Sequence, residues 1–183
     1  MRYFNSHMSV AILVTLFVIG CQSEEEMKDK IIMKTVPYVD LDRFMGDWYV
    51  IANIPTFIEK HATNAIESYK LNESGDIETT FTFYKKSPEG EKKVYTPKGF
   101  IFNSKTNAEW RMQFLWPLKM PFLIIDLADD YSYTVIGVPS RKYVWIMSRD
   151  TTLDETLYKK IMQNLSDIGY DISRIKKVPQ VWN

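Results

Sequence analysis

The chain of 183 residues is 45% hydrophobic and 14% aromatic, enough to bury one domain's core and too apolar for a disordered chain. Its 23 basic and 23 acidic residues cancel, so it lacks the one-signed field that nucleic-acid binding draws on. Its one cysteine, Cys21, leaves no disulfide, and two histidines, His7 and His61, are too few for a multi-histidine metal site, so no metal or other cofactor is expected.

Residues 1–20 have the layout of a signal peptide: a polar start with Arg2, an apolar run from Val10 to Ile19, then Gly20. The run is too short to span a bilayer as an ordinary helix and suits the apolar core of a secretion signal. Phe17-Val18-Ile19-Gly20-Cys21 resembles a bacterial lipobox, with the chain's one cysteine at the cleavage point. That resemblance implies cleavage before Cys21, acylation of Cys21 by several chains, and firm membrane attachment, where one chain would hold only marginally. Gln22 and Ser23 follow, without Asp in the second position, which by analogy with bacterial lipoproteins implies the periplasmic face of the outer membrane. Residues 21–37, with Glu24-Glu25-Glu26, are charged and lack a clean period, so they are expected to form the lipidated N-terminus and tether.

The folded domain is expected over 38–183. Its first strand-like run, Asp47–Ile54, follows Gly46, suited to a tight entry turn, and contains Trp48, a ring seldom left in solvent. Seven more runs follow at intervals of roughly ten residues, the spacing of an all-β barrel or sandwich. They are Ala65–Leu71, Ile77–Lys85, Val94–Phe102, Glu109–Leu115, Phe122–Leu127, Ser132–Val138 and Tyr143–Ser148. Asn72-Glu73-Ser74-Gly75 and Ser87-Pro88-Glu89-Gly90 supply hairpin turn chemistry. Short links imply an antiparallel up-and-down meander, and eight such strands can close into a barrel wide enough for one small ligand. The longest early connection, Pro55–Asn64, carries Phe57 and Ile58 and is a candidate lid, with an ordinary packed loop as the alternative.

After the eighth run, Thr or Asp154 can cap a helix whose Leu157, Ile161, Leu165 and Ile168 recur at helical spacing, with Gly169 ending it. This C-terminal α-helix is expected to pack on the outside of the barrel. Ile172–Val178 is expected to be extended and to add to the barrel's outer edge.

Gly46-Asp47-Trp48, Asp129-Asp130-Tyr131 and Trp145-Ile146-Met147-Ser148-Arg149 together resemble the three signature segments of the lipocalins, over a match from about Asp40 to Trp182. Within that family the resemblance points to the bacterial outer-membrane lipocalin lipoproteins and the apolipoprotein D-like branch. Two departures stand out: the usual Thr-Asp-Tyr turn reads Asp129-Asp130-Tyr131, and the cysteines of the animal relatives are missing. The resemblance implies that Arg149 stacks on Trp48 and closes one end of the barrel, with Gly46, Asp130 and Tyr131 as structural partners. It implies no catalytic role for any of them.

Alternation along the strands nominates the interior. Trp110, Met112 and Phe114 alternate with Arg111 and Gln113, and Thr79, Phe81 and Phe83 with Thr80 and Thr82. Ser68 and Lys70 facing solvent would turn Glu67 and Tyr69 inward, where a carboxyl is costly unless paired or protonated. Glu67 is then part of a network with Tyr69 or Tyr95, or a contact for a ligand's polar group. Pattern alone leaves the sixth and eighth runs ambiguous, and the family register places Ile124, Tyr143 and Trp145 inward.

Such an interior suits an elongated apolar ligand held by buried area. The resulting expectation is a membrane-anchored binding or transport protein for fatty acids or lysophospholipids in the bacterial envelope, with no enzymatic step and with homodimerisation left open. Its rivals are an interaction module with a filled barrel, and a lipid-acting enzyme on the same frame. The enzyme is disfavoured because Cys21 would be acylated and no Ser-His-acid set is apparent.

Overall fold

In the computed structural model, residues 32–182 are described. The proposed signal peptide, Cys21 and most of the tether lie outside the described residues. The described chain runs as a one-turn helix α1 (Leu41–Phe44), strands β1 (Gly46–Ile54), β2 (Ala62–Leu71), β3 (Ile77–Lys85), β4 (Lys92–Tyr95) and β5 (Lys98–Ile101). It continues as β6 (Glu109–Leu115), β7 (Leu118–Leu127), β8 (Tyr133–Gly137), β9 (Val144–Ser148), helix α2 (Glu155–Asp167), a 3₁₀ turn (Ile172–Arg174) and β10 (Lys176–Lys177).

The strands pair antiparallel in the order β1-β2-β3-β5-β6-β7-β8-β9, with β4 beside β3, and β9 pairs with β1 from Tyr49↔Ser148 to Ile54↔Val144, closing the ring. With β4 and β5 counted as halves of one strand, this is the closed eight-stranded antiparallel barrel with one C-terminal helix. The fourth strand is the place where the expectation needs correcting, because Val94–Phe102 is not continuous. Pro97 has no N–H to give to a ladder, and the chain breaks there. β4 pairs with β3, whereas β5 joins β3 to β6. Beyond shifts of one residue at the ends of β1, β8 and β9, three further boundaries move. β2 begins at Ala62 rather than Ala65, and β7 begins at Leu118, four residues before Phe122, with Pro121 inside it. The stretch after the helix opens with the 3₁₀ turn before Lys176 and Lys177 pair with Asn53 and Ala52 of β1.

Alternation sorts the apolar residues onto two sides. Inside the barrel lie Phe44, Trp48, Val50, Tyr69, Phe81, Phe83, Trp110, Met112, Phe122, Ile124, Ile136 and Met147. Outside, Ala52, Val135, Val144 and Ile146 form a second cluster with Ile161 and Leu165 of α2. Asp154 caps that helix by accepting from the Leu157 amide, 2.9 Å, and Gly169 leaves it with φ +89°.

Tyr170 then ties the helix side of the barrel to the strand ends. Its hydroxyl accepts from Val138 N at 3.0 Å and donates to Tyr143 O at 3.1 Å. Tyr170→Phe removes those bonds at a buried site and is expected to cost about 1–2 kcal/mol, read as a lower urea midpoint with an unchanged slope.

Candidate functional site

One end of the barrel is solid. Asp40 caps α1, accepting from Arg43 N, and this single turn sets Phe44 across the barrel floor. The Phe44 ring lies 5.1 Å from Trp48, 5.7 Å from Tyr69 and 5.3 Å from Trp110, and Trp110 stacks on Phe122 at 5.2 Å. Tyr69, Trp110 and Ile124, expected to contact ligand, are therefore buried within this plug and do not line the cavity above it. All three side chains are buried in the interior cluster, Tyr69 and Trp110 as alternation places them and Ile124 as the family register does, but depth along the barrel, which neither encodes, decides whether an inward residue meets a ligand.

The plug is locked by the three distant segments. The Arg149 guanidinium lies 3.8 Å from the centre of the Trp48 ring. Its nitrogens donate to Arg43 O, Phe44 O, Met45 O and Asp47 O at 2.7–3.0 Å, so it gathers the carbonyls where α1 passes into β1. Gly46 sits between them with φ +92°, and a Cβ there would stand 3.4 Å from Arg149 Nη1. Asp130 accepts from Ser132 N, which holds the turn, and hydrogen bonding from the Ser132 side chain and then its amide keeps the Asp130 carboxyl below its usual range. Tyr131, at φ +63°, places its ring under the Arg43 guanidinium, and its hydroxyl accepts from Asp40 N at 2.8 Å.

Above the plug the barrel encloses a cavity of ≈ 340 Å³. Of the residues nominated from sequence, Glu67, Thr79, Phe81, Tyr95, Met112, Phe114, Tyr143 and Trp145 line it. Phe114 stands at the rim, 52% exposed, because β6 and β7 run on past the barrel body as a hairpin. Phe83 faces a neighbouring basin instead, beside Lys60, Lys85 and Lys93. The connection expected as a lid runs from Pro55 to His61. Its Thr56, Phe57, Ile58 and Glu59 form part of the cavity wall, with Phe57 84% exposed at the mouth.

Two carboxyls share this cavity. Glu67 accepts a hydrogen bond from the Tyr69 hydroxyl. Burial pushes its carboxyl up to about 7, opposed by the Tyr69 bond and reinforced by the charge of Glu59. Glu59 is the residue that sequence reasoning missed. Its carboxylate accepts from Trp145 Nε1 (3.1 Å), Asn53 Nδ2 (3.1 Å) and Thr56 N (3.0 Å), and burial raises its pKa in spite of those donors. It thus pins the connection after β1 to the barrel wall. Lying in a loop with no period to read, it gave no signal in advance beyond a charge beside Phe57-Ile58.

Comparison with known proteins agrees with this geometry. A model of the lipocalin-like domain matches residues 39–180. The chain belongs to the lipocalin family. It is 31% identical to temperature-induced lipocalin-1 of Arabidopsis thaliana, over 84% of this chain and 86% of that protein. It is 24% identical to the outer membrane lipoprotein Blc of Vibrio cholerae, over 92% and 96%. Among solved structures, insecticyanin from the tobacco hornworm Manduca sexta superposes with a TM-score of 0.64 at 19% identity, covering 80% of this lipocalin and 84% of that chain. The fold is thus shared with a protein of little common sequence.

Proposed function

We propose that this lipocalin is a lipid-anchored carrier of single-chain lipids, fatty acids or lysophospholipids, at the periplasmic face of a bacterial outer membrane. The observation that carries the ligand class is the enclosed cavity walled by Phe81, Met112, Phe122 and Trp145 and open at one end. Apolar walls of this kind hold a ligand through buried area at roughly 25 cal/mol per Å². The plug at the other end makes the cavity a blind cup, so an acyl chain enters through the mouth.

The rim supports exchange with a membrane. Leu115, Trp116 and Leu118 project into solvent at the tip of the β6–β7 hairpin, Trp116 at 82% exposure, and Phe57 flanks the same opening. The anchor itself rests on the lipobox pattern ending at Cys21, and the location on likeness to the Blc lipoproteins, which are outer-membrane proteins by name. The reading includes no chemical step: the polar groups of the cavity are two carboxyls, tyrosines and threonines, with no nucleophile held against a base.

Native mass spectrometry of the chain carrying Cys21→Ser, purified without added lipid and then extracted, tests the ligand class. The expected result is a stoichiometric fatty acid or lysophospholipid, and a protein that is empty and also fails to bind a lipid panel overturns the reading. Met112→Trp, which places a large ring in the cavity, is expected to lower lipid occupancy at least about tenfold through lost space. Its thermal transition should remain cooperative, which separates a filled cavity from an unfolded barrel.

A further inference from the structure

The floor of the cup is polar in a particular way. Thr79, on β3 and paired across the ladder with Tyr69, is 3% exposed, and its hydroxyl has no hydrogen-bond partner among the described residues. Glu67, on β2 opposite Phe81, brings its carboxyl to the same cavity. Buried hydroxyls are ordinarily paired, and an unpaired one on a residue that lines a cavity marks a place where a ligand atom or water completes it once the side chain turns toward that space.

Among the described residues, no lysine, arginine or histidine lines the cavity. The cations stand outside it, in the adjoining basin that shares Phe57, Ile58 and Tyr95 with the mouth and carries Lys60, Lys85 and Lys93. An anionic head therefore finds counter-charge only at the rim, while at the floor it would meet the Glu67 carboxyl with no cation to offset its lost hydration. An uncharged hydroxyl meets the opposite situation, since it can donate to Glu67 and exchange a hydrogen bond with Thr79 Oγ1.

We propose that Glu67 and Thr79 form a subsite at the floor of the cavity that takes a hydroxyl on the buried end of the ligand and turns away a carboxylate there. The ligand class is then an acyl chain with its anionic head at the mouth and a hydroxyl toward its far end. This rests on the reading that the cavity holds an elongated apolar ligand, and deepens it by assigning both ends of that ligand.

Three twelve-carbon acids that share a head and differ at the far end test it: dodecanoic, 12-hydroxydodecanoic and dodecanedioic acid. Each is competed at pH 8 against the fluorescent apolar probe N-phenyl-1-naphthylamine on the chain carrying Cys21→Ser. The hydroxy acid is expected to bind on the order of fivefold tighter than dodecanoic acid, the gain of one good hydrogen bond. The diacid should bind at least about tenfold more weakly, because its second carboxylate is stripped of water. Thr79→Val keeps the shape of the wall, and in it the preference for the hydroxy acid over dodecanoic acid should fall to within about twofold, read as a ratio within the variant so that any change in probe affinity cancels. Equal competition by all three acids, with Thr79→Val indistinguishable from the parent, overturns the subsite while leaving the lipid-binding reading intact. Failure of the probe and of all three acids to bind overturns the lipid-binding reading, and the subsite with it.

Discussion

Arg149→Ala is expected to lower the unfolding free energy by about 3–4 kcal/mol, the largest loss at any position outside the apolar core. The contact with the Trp48 face contributes on the order of 1–2 kcal/mol when partly desolvated, and at 3.8 Å from the ring centre it is well placed. The guanidinium also serves four carbonyls in a span of five residues. With alanine those oxygens at the α1–β1 junction lose a charged donor, and bonds to charged groups are worth more than neutral ones. The side chain is partly exposed to solvent, so water recovers part of the loss and holds the total below the simple sum. Arg149→Lys should cost about 2 kcal/mol, since an ammonium keeps the charge but cannot span four acceptors with a planar fork. Urea unfolding of the two variants checks both values, and equal stability of the two would mean that charge alone mattered.

The same junction shows what the amino-acid pattern could disclose and what it could not. Gly46, Trp48 and Arg149 were legible because each is chemically unusual at its place: a glycine before a strand, a ring at a strand start and a cation at a strand end. Their meeting required only that β1 and β9 close the barrel. Phe44 was not legible as the plug, because α1 is a single turn, too short for any periodicity. Its placement across the floor depends on Asp40 capping the turn and Tyr131 holding Asp40 N. Trp110 and Tyr69 therefore read as ligand contacts when they are packing partners of a residue that no pattern had placed. The alternation of β6 was correctly read at Met112 and Trp110, yet it carries no information on how deep along the barrel the core is filled.

Pro97 and Pro121 show the reverse difficulty. Each was visible in the sequence, but the proline in the fourth run breaks a strand while the one in β7 sits within it. β7 pairs with β6 through Pro121 opposite Arg111, beyond the last pair between β7 and β8 at Leu123↔Gly137. A ladder position that needs no donor tolerates proline. At Pro97 the chain changes partners, with β4 pairing only to β3 and β5 carrying the ladder on to β6, and Tyr95 and Pro97 line the cavity beside this break. The cavity residues Met120 and Pro121 lie ahead of Phe122, outside the run that the apolar pattern delimits.

Glu67→Gln is expected to make the stability of the protein nearly independent of Glu67's ionisation and to leave the variant more stable than the parent in mild alkali. Desolvation holds the folded-state pKa near 7, against 4.5 for the free side chain. Below pH 4.5 the carboxyl is neutral in both folded and unfolded chains, and its contribution is fully present. Between pH 4.5 and 7 the unfolded chain has released its proton while the folded chain keeps it, so stability falls as pH rises. Above 7 the folded protein carries a buried carboxylate and the loss is complete. A shift of this size corresponds to about 3 kcal/mol at full burial. Glutamine still accepts from the Tyr69 hydroxyl, so the aromatic plug below it should be undisturbed. Urea titrations at pH 4 and pH 8 provide the check through the difference between variant and parent, in which the parallel contribution of Glu59 cancels to first order. That difference should move by about 3 kcal/mol toward the variant on going from pH 4 to pH 8. A difference that stays constant would mean that Glu67 is hydrated in solution, and the same hydration would open the cavity floor to the carboxylates that the proposed subsite excludes.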